Sequence, residues 1–468
     1  MRRVTTTNET TSNVQPQPAR SATGASLRVL CAVWMASTAL VTLAPVTSFA
    51  GDLIVDGQTI TINSPQAADN AIVGYAQPGR LDVVSGGTLT VSHDFASGGV
   101  ADGTVTISGG GTITTDRLFV GSDLGATKST ITISGNGSSL TASGDSYLGE
   151  GGSNGTLTVS GGGAATFGGL LYIGAQSGSS GTVTVSGSGS TLTTVGGGII
   201  VGSAGAGALT ISDGGQVSSV NGVLIGDNLG AQGTVTVSGS GSKLTAGGSI
   251  VVGNSGTGVS SGGAVNAGQI FIGDGLGGTG TVTVSGSGSK LTVSGAYRDF
   301  YVGGRGQGTL TIANGGVVES PGFVFVGGYF TSSGTVTVSG SGSTLAADRG
   351  LIVGFEGTGT LTVSNGGVAQ ANGGILIASN AGSTGTLIIG AAAGDAAVAA
   401  GNVVGAGGGA ASITFGNGSG SIVFNHTDPG FDFTANVSGN GNILVLSGTT
   451  KLSGHVDIGT GSLEADGG

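Results

Sequence analysis

A seven-letter string, Gly181-Thr-Val-Thr-Val-Ser-Gly187, returns down the chain at a nearly constant interval, and that recurrence limits the possible folds more than any other feature. The residue opening each copy falls at Gly103, Ser129, Gly155, Gly181, Gly207 and Gly233, a step of 26 each time. Gly280, Gly308, Gly334, Gly359 and Gly385 continue the series at steps of 28, 26, 25 and 26. The odd interval, 47 residues from Gly233 to Gly280, contains Gly258-Val-Ser-Ser-Gly-Gly-Ala-Val265, which reads as a copy that has lost part of its first strand. A period this steady means a stack of equivalent units rather than a globule with one core.

The letters within a unit say what is stacked. Thr182-Val183-Thr184-Val185 alternates polar and apolar β-branched residues, the mark of a half-buried strand. Gly and Ser break the run, Thr191-Leu192-Thr193 forms a second strand, Gly196-Gly197-Gly198 turns, and Ile199-Ile200-Val201 forms a third. Three short strands in roughly 26 residues make one triangular coil of an all-β solenoid, and no segment has the length or period of a helix. Two unit types alternate, one with Ser-Gly-Ser-Gly-Ser after Thr182, Thr234, Thr281 and Thr335, the other with a tighter Gly-Gly turn. Asp213-Gly214, Asn314-Gly315 and Asn365-Gly366 stand where a left-handed backbone is expected. With 103 Gly, 37% hydrophobic and 8% charged residues, disorder is the competing reading, but each unit supplies about six inward apolar side chains. About fourteen coils between Gly57 and Gly409 would rise on the order of 65 to 70 Å.

Residues 1–50 read as a signal peptide: Arg2, Arg3, Arg20 and Arg28 precede an apolar run from Val29 to Leu43, and Ser48-Phe49-Ala50 fits cleavage after Ala50. The run is about 15 residues, where roughly 20 are needed to span a bilayer. Residues 51–102 read as divergent coils of 22 to 24 residues, 103–390 as regular repeats, and 391–468 as a Gly/Ala-rich bridge followed by further coils. Gln66 to Pro78 is expected to be an irregular loop. Cys31, Trp34, Met1 and Met35 all precede Ala50, so the remainder offers no thiol, no disulfide and no soft metal ligand. That remainder carries 9 Lys+Arg against 23 Asp+Glu, a net charge of −14 that disfavours nucleic acid.

Few residues suggest chemistry. Asp123, Asp227 and Asp274 follow third strands and would line one edge, spaced four and two coils apart, about 19 and 10 Å. That separation makes them turn residues more readily than the carboxylate cluster of a polysaccharide-acting enzyme. His93, His426 and His455 form no metal-spaced pair and read as solvated turn residues. Gly151-Gly-Ser-Asn-Gly155 and Gly258-Val-Ser-Ser-Gly262 arise from composition, with no strand-to-helix elbow around them. No catalytic residue, metal site or cofactor is expected. Because Val183 and Val185 should face inward, Thr182 and Thr184 should face outward, as should Thr234, Thr236, Thr281, Thr283, Thr335 and Thr337, giving a flat Thr-x-Thr array. Such an array resembles the binding face of β-solenoid ice-binding proteins, though high β-propensity alone also favours Thr there.

The strings TVTVSGSGSTLT, IIVG and GTLTV followed by a Gly-Gly turn resemble the repeat associated with type V secretion and PEP-CTERM proteins, from Gly103 to about Gly390. Gly416 to Asp428, Phe431-Asp-Phe433, Val437 to Gly441 and Lys451 to Gly454 resemble passenger coils that follow such repeats. The resemblance implies a right-handed parallel β-helix, the passenger of a bacterial autotransporter, exported to the cell surface, outer membrane or extracellular space. It implies an outer-membrane barrel as partner, and since Glu464-Ala-Asp-Gly-Gly468 contains no barrel, the sequence is expected to stop short of it or to use a separate chain. A non-enzymatic adhesin or scaffold facing a host or matrix ligand is the expected role. An ice-binding solenoid and a polysaccharide-acting enzyme are the alternatives.

Overall fold

The computed structural model describes residues 40–42, 51–122, 128–228, 230–253, 255–295 and 298–466, so Ala50 and Asp123 lie outside the described residues. In Ser180–Ser186, Gly181, Val183 and Val185 are buried while Thr182 and Thr184 face outward. Thr191–Thr194 buries Leu192 and Thr194, and Ile199–Val201 closes the coil. Each strand pairs in parallel with its equivalent one coil later: Val183 with Leu209, Leu192 with Val217, Ile199 with Val223. The result is a parallel β-solenoid.

The first strands form one 18-stranded sheet, from Leu40–Thr42 to Leu463–Ala465. Fourteen of its strands run from Thr59–Ile62 through Thr384–Gly390, matching the number of coils expected from the period. Second and third strands form separate ladders except where Lys243–Val252 and Ala264–Ile272 continue through the corner and join them in a 29-stranded sheet. Among the described residues there is no α-helix, and the helical geometry is confined to a 3-10 turn at Ala406–Gly408.

Aliphatic columns make the core. Leu157, Val183, Leu209 and Val235 succeed one another in register and are at most 3% exposed. Each such burial contributes about 1.5–3 kcal/mol, shared between neighbouring coils, so no single unit holds itself together. The Gly opening each copy has a steric cause: a Cβ at Gly181 would lie 2.3 Å from Gly174 N and 2.5 Å from Leu148 O. Asp213, Asn314 and Asn365 adopt the left-handed backbone, with φ of 54°, 52° and 52°.

Serine explains the alternation of coil types. Ser138, Ser190, Ser242, Ser289 and Ser343 close the Ser-Gly-Ser-type turns and are almost wholly buried. The hydroxyls of Ser138, Ser190, Ser242 and Ser343 accept hydrogen bonds from Gly110, Gly162, Gly214 and Gly315 N at 3.0–3.1 Å, and Ser289 accepts one from Gly262 N. Those glycines are the left-handed corners of the preceding coil, so each Ser-rich coil satisfies a donor that its Gly-Gly neighbour leaves open.

The structure refines several expectations. The copy near Gly258 keeps a full first strand, Ser255–Ser261, paired through Gly256 to Gly233 and Gly280, so the 47-residue interval is two short coils of 23 and 24 residues. What it lacks is inward bulk: Gly258 and Ser260 stand where adjacent coils place Val235 and Val237, leaving an apolar cavity of about 30 Å³. Gln66 to Pro78 is a loop only in part: Pro65–Ala68 and Ala71–Val73 are strands, because Ala68, Ala71 and Val73 pack into the core, and Gly74 to Pro78 remains outside them. The early coils advance by 21 and 24 residues, from Thr59 to Arg80 to Thr104. Within residues 391–411, Asn402–Val404 joins the second-strand ladder beside Val368–Ala371, and the first-strand ladder steps from Thr384 to Ser419.

Candidate functional site

Two outward surfaces repeat along the stack. The first belongs to the Thr-x-Thr strands, where parallel pairing places Thr156, Thr182 and Ala208 in one column and Thr158, Thr184 and Thr210 in the next. Thr234 lies in register with Thr257, and Thr257 with Thr281; Thr236 and Thr283 flank the Val259 position. Thr335 and Thr337 lie between Thr309 and Thr311 on one side and Thr360 and Thr362 on the other. All eight singled-out threonines therefore share one face, which carries hydroxyls and methyls at regular spacing and no charge at those positions.

The second surface was only partly legible. The middle residue of each third strand points outward, and large apolar side chains fill that column: Phe119, Tyr147, Tyr172, Ile200, Leu224, Val251, Phe271, Tyr301, Phe325, Ile352 and Leu376. The rings stack, Phe119 on Tyr147 at 5.4 Å and Tyr147 on Tyr172 at 4.9 Å, with interplanar angles of 9° and 4°. Phe271, Tyr301 and Phe325 repeat this at 5.1 and 4.8 Å. Each pair adds about 0.5–1.5 kcal/mol beyond burial. Interior rings have both faces covered by neighbouring coils, which turns their edges to solvent. Burial pushes the Tyr147 phenol up to about 12, and burial raises Tyr301 and Tyr172 as well.

Charged groups border this column. Arg117 lies 5.4 Å from the Phe119 ring centre and donates from Nε and Nη2 to Asp94 at 2.8 and 2.6 Å. Arg305 lies over Tyr329 and Arg349 over Phe323, at 5.7 and 5.2 Å. At the neighbouring turns Leu276 and Phe330 are 81% and 67% exposed.

Asp227 and Asp274 follow third strands as expected, two coils apart, with the Val252 strand between them. Burial raises both carboxyl pKa values, at Asp274 against the opposing pull of Arg305. At roughly 10 Å, set by two strand spacings, they are not brought together as a catalytic pair. No group of three or more His, Cys, Asp or Glu side chains that could hold a metal occurs among the described residues.

Of the histidines, His93 and His455 are exposed, as expected of turn residues. His426 is not: its exposure is 0%, because the corner after Ser419–Asn425 turns inward against Phe424 and Phe431.

Comparisons with known proteins add little. No family model matches the chain. An uncharacterized lipoprotein of Escherichia coli (strain K12), YdeK, is 39% identical over 128 residues, which is 27% of this chain and 9% of that protein. This chain thus matches less than a tenth of its relative's length. A solved structure titled "Crystal structure of TibC-catalyzed hyper-glycosylated TibA55-350 fragment" aligns over 87% of this chain and 94% of that one, at 17% identity. Its TM-score of 0.30 is too low to bear on function.

Proposed function

We propose that the protein is an exported passenger, displayed on or released from the cell envelope, and that it acts as a non-enzymatic adhesin or scaffold. The observation carrying this reading is the in-register Thr face, whose two columns repeat the same shallow contact coil after coil. A surface of that kind gains affinity by repetition: each contact is weak, and simultaneous engagement multiplies them. The charged, arginine-rich start before the apolar run supports export, and so does the likeness to a protein named a lipoprotein. The partner is a repetitive extracellular surface of host or matrix, and the route is through an outer-membrane barrel.

The test is expression of the chain fused ahead of an outer-membrane barrel in a Gram-negative host. Antibody labelling of intact cells and increased attachment to a coated surface are expected. Attachment should fall when Thr182 and Thr234 are both changed to Asp, since these place charge in the column. Cytoplasmic retention, or attachment no greater than without the protein, overturns the reading. Thermal hysteresis abolished by the same pair would assign the face to ice, and polysaccharide cleavage lost in Asp227→Ala plus Asp274→Ala would make the protein an enzyme.

A further inference from the structure

The buried histidine stands where an unusual coil meets the stack. After Thr384–Gly390 the chain makes an excursion through residues 391–401 and returns beside Ser419–Asn425, with Val398 bridging to His426. The imidazole packs against Phe431 at 5.2 Å and edge-on to Phe424 at 6.4 Å, and a Cβ at Gly448 would lie 2.4 Å from Nδ1, so no space remains for water around the ring on that side. Both ring nitrogens are engaged by neutral groups. Asp428 N donates to Nδ1 at 3.2 Å, which leaves the proton on Nε2, 2.7 Å from Thr450 Oγ1. The same residue holds the excursion: Asp428 Oδ2 accepts from Ala400 N at 2.7 Å. Asn425 donates to the carbonyls of Ala392 and Asp395.

A second proton has no place in this arrangement. An Nδ1–H would face the Asp428 N–H, two donors at hydrogen-bond distance, inside a pocket of phenylalanine. The charged groups on the surrounding elements are Asp395 in the excursion, Asp428 beyond the corner, and the exposed Lys451–Asp432 pair, 3.7 Å apart, on the adjoining Phe431–Phe433 and Thr450–Leu452 strands. Asp428 favours an imidazolium through both its carboxylate and a backbone contact, but burial is the larger effect and holds the imidazole below its ordinary value.

We infer that His426 is an acid-sensitive clasp: its protonation releases the 391–401 excursion and the coils from Ser419 to Leu452, while the regular repeats stay folded. The sign follows from linkage. The folded chain binds this proton less readily than the unfolded segment, so stability is fully present above about pH 6.5 and is lost as pH falls below it. The opened clasp bares Phe424, Phe431 and Phe433, an apolar surface closed at neutral pH.

The experiment is hydrogen exchange on the full chain, followed by mass spectrometry from pH 7.5 to 5. After correction for intrinsic rates, opening of residues 419–452 should rise by up to about tenfold per pH unit below 6.5, with residues 155–364 unchanged. His426→Gln, which accepts from Asp428 N and donates to Thr450 without titrating, should remove that pH dependence. Should this variant fail to fold, the NMR titration of His426 in the unaltered chain decides. A His426 resonance that shifts with the onset of opening supports the clasp. Exchange independent of pH, or opening that persists unchanged in folded His426→Gln, overturns it.

Discussion

The same substitution should have opposite effects at two places in the stack. At Gly258 an added Cβ meets only Val282 Cγ2, at 3.5 Å, and the neighbouring cavity of about 30 Å³ is lined by Val235, Leu244, Val265 and Val282 among others. Filling that cavity recovers about 0.7 kcal/mol, from 30 Å³ at roughly 24 cal/mol per Å³. Three buried carbons at about 0.8 kcal/mol each, and the lower chain entropy of a non-glycine residue in a strand, add to this. Part is lost to fixing the side chain and to repacking, so Gly258→Val should stabilise its coil by about 1.5–3 kcal/mol. Gly181→Val, with backbone atoms 2.3 and 2.5 Å from the new Cβ, should prise two coils apart. Because a stack of this kind does not unfold as one unit, the assay is local: amide exchange of Thr257–Ser261 should slow about 10–100-fold in Gly258→Val. Exchange at Gly181–Ser186 should accelerate in Gly181→Val. Faster exchange around residue 258 in the first variant would refute the reasoning, because it would mean that the stack has already closed over the missing side chain.

Other outcomes follow from single contacts. Ser242→Ala removes the acceptor of Gly214 N at 3.1 Å and the donor to Ser238 O at 2.6 Å, and should cost about 1–3 kcal/mol, seen as faster exchange at both turns. Ala378, buried with φ of 53° where equivalent coils carry Gly354 or Gly327, should gain roughly 1 kcal/mol as Ala378→Gly, read as a higher unfolding temperature of the coils around it. The Tyr147 phenol is raised by burial to about 12, so its contribution is intact below about pH 10 and is lost as pH rises from 10 towards 12. Tyr147→Phe should flatten that alkaline loss in a denaturation series while keeping the ring stack.

What could be read from the letters is what depends on neighbours in sequence. Alternation in Thr182 to Val185 fixes which side chains face inward, and Asp213, Asn314 and Asn365 announce their left-handed turns by residue type. The Thr face was legible for the same reason, since a constant period brings Thr156 beside Thr182 without any knowledge of the corners. The ring stacks were half legible: aromatic letters recur in third strands, but face-to-face overlap requires the corners between coils to match in length. His426 was misread because its burial comes from Phe431, Gly448 and Thr450, residues contributed by the corner after it and by the next coil. The stretch around Gly258 was misread because missing inward bulk looks the same in sequence as missing strand.

The sequence by itself determined that coils of about 26 residues stack in parallel, since that needs only the strand alternation and a repeat length that returns each strand to its own level. The tertiary structure alone decided where the stack is imperfect: a cavity beside Gly258, a strained Ala378, a sealed imidazole at His426. The reason is distance along the chain. The cavity and the sealed imidazole are completed by atoms about a coil away, whose separation is set by the backbone hydrogen bonds between coils and whose fit no local pattern records.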